Sequence, residues 1–199
     1  MKTELQVIRH RVNQVIELQT LESGWGAEID LRSRGDNIIL THDAFTGGDR
    51  FEDFLKKWVS GYQRGTLILN LKEDGLESEV LRLLKSHKIM NYFFLDLSLP
   101  TIVRLAIKEN IRNIAIRVSE YEPIEFAMKF VGKVDWVWLD TFSGSLWNPA
   151  LVKRLSKFFR VCLVSPELQQ YPINRIAQFK SLLPCLSAVC TKVPREWLT

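Results

Sequence analysis

The chain has 199 residues, 46% of them apolar and 25% charged, and carries a formal net charge of +4. That length and composition suffice for one buried core and exclude a fibrous or low-complexity chain, while Lys and Arg are spread along the chain rather than gathered in a stripe, which gives no reason to expect nucleic acid as a partner. No run approaches a membrane span, no apolar signal core opens the chain, and Cys162, Cys185 and Cys190 are odd in number and lack zinc-site spacing, so residues 1–199 read as a single cytoplasmic domain with reduced thiols and no stable membrane insertion.

In chain order, Leu5 to Arg9 is an apolar run that reads as a strand ending on His10. Gly26 to Leu31 follows with strict alternation, Glu28, Asp30 and Arg32 on one face and Ala27, Ile29 and Leu31 on the other. The stretch from Leu31 to Asn37 is too short for a helix, and its Gly35-Asp36-Asn37 tip predicts a hairpin with a return strand over Asn37 to Thr41, ending on His42. Phe51, Phe54, Leu55, Trp58, Val59 and Tyr62 then share one helical face, as do Leu76, Val80, Leu83 and Leu84. Between these two helices, Leu67 to Leu71 is a strand that turns Asn70 and Lys72 to one side; His87, at the end of the second helix, reads as solvated. Further strands are expected over Tyr92 to Leu95, Asn113 to Arg117, Val134 to Leu139, Val161 to Val164 and Ala188 to Cys190. Ser98 before Pro100, and Asn148 before Pro149, mark helix starts. With the hairpin return set aside, eight strands remain, each but the last followed by room for a helix. That pattern predicts an α/β fold, a compact (β/α)8 barrel of the TIM type with a β-hairpin after the second strand, short loops and a reduced last helix.

In such a barrel, inward-facing residues near the carboxyl ends of strands line the mouth. Glu28 and Asp30, two apart on one strand, can grip one hard cation such as magnesium or calcium, with Asn70 offering a neutral oxygen from a neighbouring strand; ion pairing with Arg32 or Lys72 would explain the same carboxylates without a metal. His10 and His42 end two strands and suit a proton-transfer pair. Asp96 and Asp140 also end strands, within reach of a metal shell or a substrate hydroxyl. Trp25, Trp58 and Trp147 read as packing rather than as a membrane-docking set.

The same residues resemble the glycerophosphodiester phosphodiesterases, and more distantly the sphingomyelinase D group of the same phospholipase-like barrel superfamily. His10-Arg11 looks like the family's opening His-Arg; Gly26-Ala-Glu28-Ile-Asp30-Leu-Arg32 is similar to its Gly-Ala-x-x-Glu-x-Asp-Val strand, slightly shortened; Thr41-His42-Asp43 resembles its His-Asp element. Ala188-Val-Cys-Thr191-Lys192-Val-Pro194 is similar to the closing Thr-Asp-x-Pro strand, with Lys192 in place of Asp. The resemblance implies a metal-dependent phosphodiester hydrolase acting on a small glycerophosphodiester-like substrate. Glu28, Asp30 and Asn70 would then hold magnesium or calcium, His10 and His42 would serve as acid and base, and Arg11 and Lys72 would hold the phosphate. Three departures accompany it. Asn70 stands where the family commonly has a third metal carboxylate, which weakens the expected hold on the cation. His10-Arg-Val-Asn13 echoes the sphingomyelinase D opening, and only Ala44 to Asp49 separates the His-Asp element from the next helix, which leaves the mouth with less of a cap. The alternatives are a barrel that binds a phosphorylated metabolite or a protein partner without turnover, and a lipid phosphodiesterase of the sphingomyelinase D kind. Oligomeric state is left open.

Overall fold

The structure, a computed structural model, describes residues 5–61 and 64–198. Its strands are β1 (Gln6–Arg9), β2 (Gly26–Arg34), β3 (Asn37–Leu40), β4 (Leu67–Leu71), β5 (Tyr92–Leu95), β6 (Ala115–Val118), β7 (Trp136–Leu139), β8 (Arg160–Val164) and β9 (Ala188–Thr191). All except β3 lie parallel in the order β5-β4-β2-β1-β9-β8-β7-β6. The ends of that path meet through a single bridge, Phe94 to Ile114, where the Phe94 N–H donates to the Asn113 carbonyl at 2.8 Å. The result is the nearly closed parallel barrel that the strand count predicts.

The hairpin forms as its tip requires. β2 and β3 pair antiparallel with Arg34 opposite Asn37, and Gly35, at the first position of the two-residue loop, takes φ +59, a conformation that costs a glycine nothing. Gly26 has a different role: a Cβ there would sit 2.2 Å from the Thr66 carbonyl, so the close entry of β2 beside β4 excludes any side chain.

The outer layer is α1 (Phe51–Val59), α2 (Glu77–Ser86), α3 (Leu99–Ile102), continued without a break by π-type turns over Val103–Lys108, α4 (Ile124–Met128), α5 (Pro149–Leu155) and α6 (Ile176–Phe179). Phe51, Phe54, Leu55 and Trp58 bury the inner stripe of α1, whereas Val59 falls off that stripe and is exposed; Tyr62, expected on the same face, lies outside the described residues. Ser98 and Asn148 cap α3 and α5, their side-chain oxygens accepting from the N–H groups of Thr101 and Ala150. His87 is not simply solvated, because its Nδ1 lies 3.0 Å from the Leu83 carbonyl and closes the end of α2. After β1 the chain makes only the 3-10 helix Val15–Thr20, and after β9 only the 3-10 turn Pro194–Trp197. This economy is how a 199-residue chain completes a barrel.

Alternation divides the core in two. Ala27, Ile29, Leu31, Leu69 and Val137 face the helices. Ile8, Ile68, Phe93, Trp136, Cys162 and Cys190 fill the lumen, where Trp136 stacks on Phe93 with centroids 4.5 Å apart. The cysteines are all free, and burial pushes the thiols of Cys162 and Cys190 up, away from the reactive thiolate. The lumen plug is apolar, so polar side chains on the same inward face collect above it, at the carboxyl ends of the strands.

Candidate active site

Register decides which side chains meet above the plug. Ile8 lies opposite Gly26 and Arg9 opposite Ala27, so the next residue of each strand brings His10 beside Glu28. Asp30 lies opposite Asn70 and Asn70 opposite Leu95. Arg9 also faces Thr191, which places Lys192 on the other flank of His10.

Immediately after β1 the chain turns through Arg11 at φ +54, an uncommon conformation for a residue with a side chain. The turn aims the Arg11 N–H at Glu28 Oε2, 2.8 Å away, while the Val12 N–H donates to the Glu28 carbonyl at 2.8 Å. Two residues on, Asn13 clamps Asp30 from both sides: its Nδ2 donates to Asp30 Oδ2 at 2.8 Å, and its Oδ1 accepts from the Asp30 N–H at 2.9 Å. The loop after β1 is thereby fastened to the acidic face of β2.

Glu28 and Asp30 are 1% and 0% exposed, which makes their charges costly unless compensated. Lys72 Nζ stands 3.0 Å from Asp30 Oδ1, and the half-exposed Arg11 guanidinium approaches Asp30 Oδ2 at 3.9 Å. Glu28, one step deeper, receives no cation of its own. Asn70 Nδ2 donates to its Oε1 at 3.1 Å, and His10 Nε2 lies 3.8 Å from its Oε2. Burial, followed by the charge of Asp30, pushes the Glu28 carboxyl up to about 7. Burial and the neighbouring Arg11 push the His10 imidazole down to about 4. Near neutrality His10 is therefore uncharged, and its Nδ1, like Asn70 Oδ1, is buried without a hydrogen-bond partner. Unpaired polar atoms of this kind are rare in folded proteins, and both lie in this one cluster, where Asp30 Oδ1 has only the Lys72 ion pair.

The structure thus gathers His10, Arg11, Glu28, Asp30, Asn70 and Lys72 into one network. His42 stands at its edge. Its Nδ1 lies 2.7 Å from Asp43 Oδ1, and its carbonyl accepts from Arg32 Nε and Nη2 at 3.2 and 3.1 Å. His42 and Asn13 line the same hollow of about 520 Å³, and Asn13 is the residue bonded to Asp30. The hydrogen bond and charge of His42 hold the Asp43 carboxyl below its ordinary range, with smaller help from Arg11 and Arg32.

Asp96 and Asp140, the other two strand-end carboxylates, are engaged elsewhere. Arg117 bonds both of them, Asp140 Oδ2 at 2.9 Å and Asp96 more closely still. Asp140 Oδ1 accepts in addition from the Thr141 N–H and from Gln169 Nε2, each at 2.8 Å. Two further acidic residues, Glu120 and Glu167, were not singled out from the sequence and are also engaged. Glu120 gathers Ser143, Thr141 and the Phe142 N–H; burial opposes its ionisation, but these donors hold its carboxyl down to about 2. Glu167 takes the Thr191 hydroxyl at 2.6 Å and the Lys192 N–H at 3.0 Å. Glu120 and Glu167 follow the ends of their strands by two or three residues, which is the signal that marks them as mouth residues.

Nearly closed parallel barrels with polar strand ends of this kind form a recognised class of enzyme scaffold. Among them, the fold is that of the glycerophosphodiester phosphodiesterases. A glycerophosphodiester phosphodiesterase from Agrobacterium tumefaciens superposes with a TM-score of 0.70 over 98% of this chain and 99% of its own, at 12% identity. An Oleispira antarctica phosphodiesterase, solved in complex with the product sn-glycerol-3-phosphate, superposes with a TM-score of 0.69 over 97% of this chain and 95% of its own, at 16% identity. The α subunit of tryptophan synthase from Campylobacter jejuni also superposes, with a TM-score of 0.60 over 100% of this chain and 91% of its own at 13% identity, so the likeness is one of fold, and activity has to be argued from the site. No protein-family model and no curated protein matches the sequence.

Proposed function

We propose that the chain is a phosphoric diester hydrolase acting on a small glycerophosphodiester-like substrate at the β1–β2–β4 side of the mouth. The observation that carries this reading is the imbalance around Glu28: a buried carboxyl pushed up to about 7 beside a second buried carboxylate and a buried, unpartnered Asn70 Oδ1. Glu28 has no cation of its own in this cluster, because Lys72 and Arg11 approach Asp30, and it lies beside a neutral imidazole. The solved Oleispira antarctica complex with sn-glycerol-3-phosphate supports a ligand of this size and charge.

In this reading Arg11 and Lys72 hold the phosphoryl oxygens and balance the charge that develops there. His10, uncharged near neutrality, accepts the proton of the attacking hydroxyl, and His42, steadied by Asp43, returns a proton to the leaving oxygen. Glu28, Asp30 and Asn70 offer the oxygen donors that suit a magnesium or calcium ion, Asn70 Oδ1 being an unpaired atom that a cation would satisfy. A bound divalent ion would supply polarisation of a phosphoryl oxygen. The fit is a lean one. Among the described residues no group of three or more His, Cys, Asp or Glu is placed to hold a metal, so water would complete the shell.

That leanness favours a second reading, in which the barrel binds a phosphorylated ligand without turning it over: Lys72 already neutralises Asp30, and Asn70 already bonds Glu28. Turnover of a panel of glycerophosphodiesters with magnesium, calcium or chelator separates the two. Cation-dependent release of glycerol phosphate supports the hydrolase. Binding of glycerol 3-phosphate with no turnover in any condition, and large gains in cation binding and activity from Asn70→Asp, would establish the binding reading instead.

A further inference from the structure

The barrel wall is open in one place. β5 and β6 share a single backbone bridge, Phe94–Ile114, and towards the mouth it is the Arg117 side chain of β6, bonded to Asp96 just after β5, that spans the seam. At Asp96 the chain takes φ +59, a conformation that non-glycine residues adopt at some cost and that clusters at functional positions. Beside this seam lies a hollow of about 250 Å³. Leu95 and Ala115 line it from the lumen side, and Leu97, Ile102 and Phe126 line it from the helix side. Leu99, 49% exposed, stands at its outer edge.

Three features define what such a slot would take. Its walls are apolar apart from Asp96, Arg117 and Glu122, and the one guanidinium is shared, Arg117 bonding Asp96 and Asp140 and lying 3.8 Å from Glu122. The carboxylates outnumber the cation, so the slot disfavours an anionic head group and leaves its apolar wall for a neutral, apolar one. The volume is smaller than a typical pocket for a compact small molecule, which suits a thin, flexible chain. Finally, Leu95 is the register partner of Asn70, so the lumen-side wall of the slot lies one strand away from Asn70.

We propose that the β5–β6 seam is a second subsite, which takes an unbranched alkyl or acyl chain carried by the alcohol of the substrate whose phosphate lies at Arg11 and Lys72. The proposal rests on the phosphodiester reading for its head group and on the seam alone for its tail. It makes the preferred substrates amphiphilic phosphodiesters, and glycerol phosphate only the polar part of the best ligand.

The test is a titration with glycerol 3-phosphate, with butyl, hexyl and octyl phosphate, and with the matching alcohols as headless probes, following affinity and the NMR methyl signals of Leu95, Leu97, Leu99 and Ile102. The expected result is binding that tightens by about fourfold per added methylene until the slot is full, with those methyl signals moving. Ala115→Leu, which fills the slot from inside, and Leu99→Gln, an exposed change that spares the core, should each flatten the dependence on chain length. Alcohols that move the seam methyls while no phosphate adds affinity would uphold the slot and remove the phosphate reading. Glycerol 3-phosphate binding with no gain from chain length and unmoved seam methyls would overturn the slot and leave the phosphate reading intact.

Discussion

The two sides of the barrel mouth are built from the same residue types and solve opposite problems. On the far side, Arg117 is shared between Asp96 and Asp140, Gln169 and Thr141 complete Asp140, and Glu120 collects hydroxyl and N–H donors from the loop after β7. On the near side, two buried carboxylates share Lys72 and a distant Arg11, and an imidazole nitrogen and an amide oxygen are buried without partners. A satisfied network is what stabilises a barrel end, whereas a network left short of hydrogen-bond partners is stable only where the rest of the fold supports it. On that difference rests the proposal that the near side is the site and the far side scaffold.

The comparison predicts different failures on the two sides. The largest effect is expected on the near side: His10→Ala should lower turnover of a glycerophosphodiester by about two to four orders of magnitude while the unfolding midpoint in urea changes little. A variant with normal turnover removes His10 from the chemistry. On the far side, Asp140→Ala takes one acceptor from Arg117, which keeps Asp96, and leaves Gln169 without its own, and should cost about 1–3 kcal/mol of stability by denaturant titration; no measurable loss would mean that this network is not structural.

Dependence on pH sharpens the contrast. Glu28 is raised from 4.5 to about 7, so between those values the folded state binds the proton that the unfolded state has lost, and stability falls as pH rises, by about 3 kcal/mol in all. His10 is lowered from 6.5 to about 4, so between those values the unfolded state binds the extra proton, and stability rises with pH by a similar amount. The two slopes oppose each other over the shared window from about 4.5 to 6.5. Glu28→Gln should therefore unmask a rise in stability with pH across that window, and His10→Ala a fall; parallel profiles for both variants and the parent would contradict the assignment. The smallest effect is a control away from the mouth. Asn148→Ala removes the cap of α5 and should cost about 1 kcal/mol with no change in the pH profile of stability.

Much of the fold was legible because the barrel repeats one rule. Alternation in Gly26 to Leu31 marks which side chains face the lumen, the Gly35-Asp36 tip marks the hairpin, and Ser98 and Asn148 mark helix starts. The seam between β5 and β6 was not legible, because Asn113 to Arg117 reads as a strand like any other, and whether two strands zip together depends on barrel geometry rather than on either segment. Most of the near-side cluster was legible for the same reason as the strands, since Glu28 and Asp30, and Asn70 and Lys72, are spaced by two. His42 was harder to place: it follows a return strand outside the barrel ladder, and its ring faces Asp43 at the rim. The roles of Asp96 and Asp140 depended on where Arg117 pointed, which a choice among three strand ends decides and no local pattern reveals.

The most direct test of the central claim is the ionisation of Glu28 itself, followed by carboxyl ¹³C NMR in chelator and then with magnesium or calcium. The site described here predicts a midpoint of about 7 without a cation, falling towards the ordinary carboxylate range as the cation binds. A Glu28 carboxyl that titrates near 4.5 in chelator and ignores added cation would contradict it.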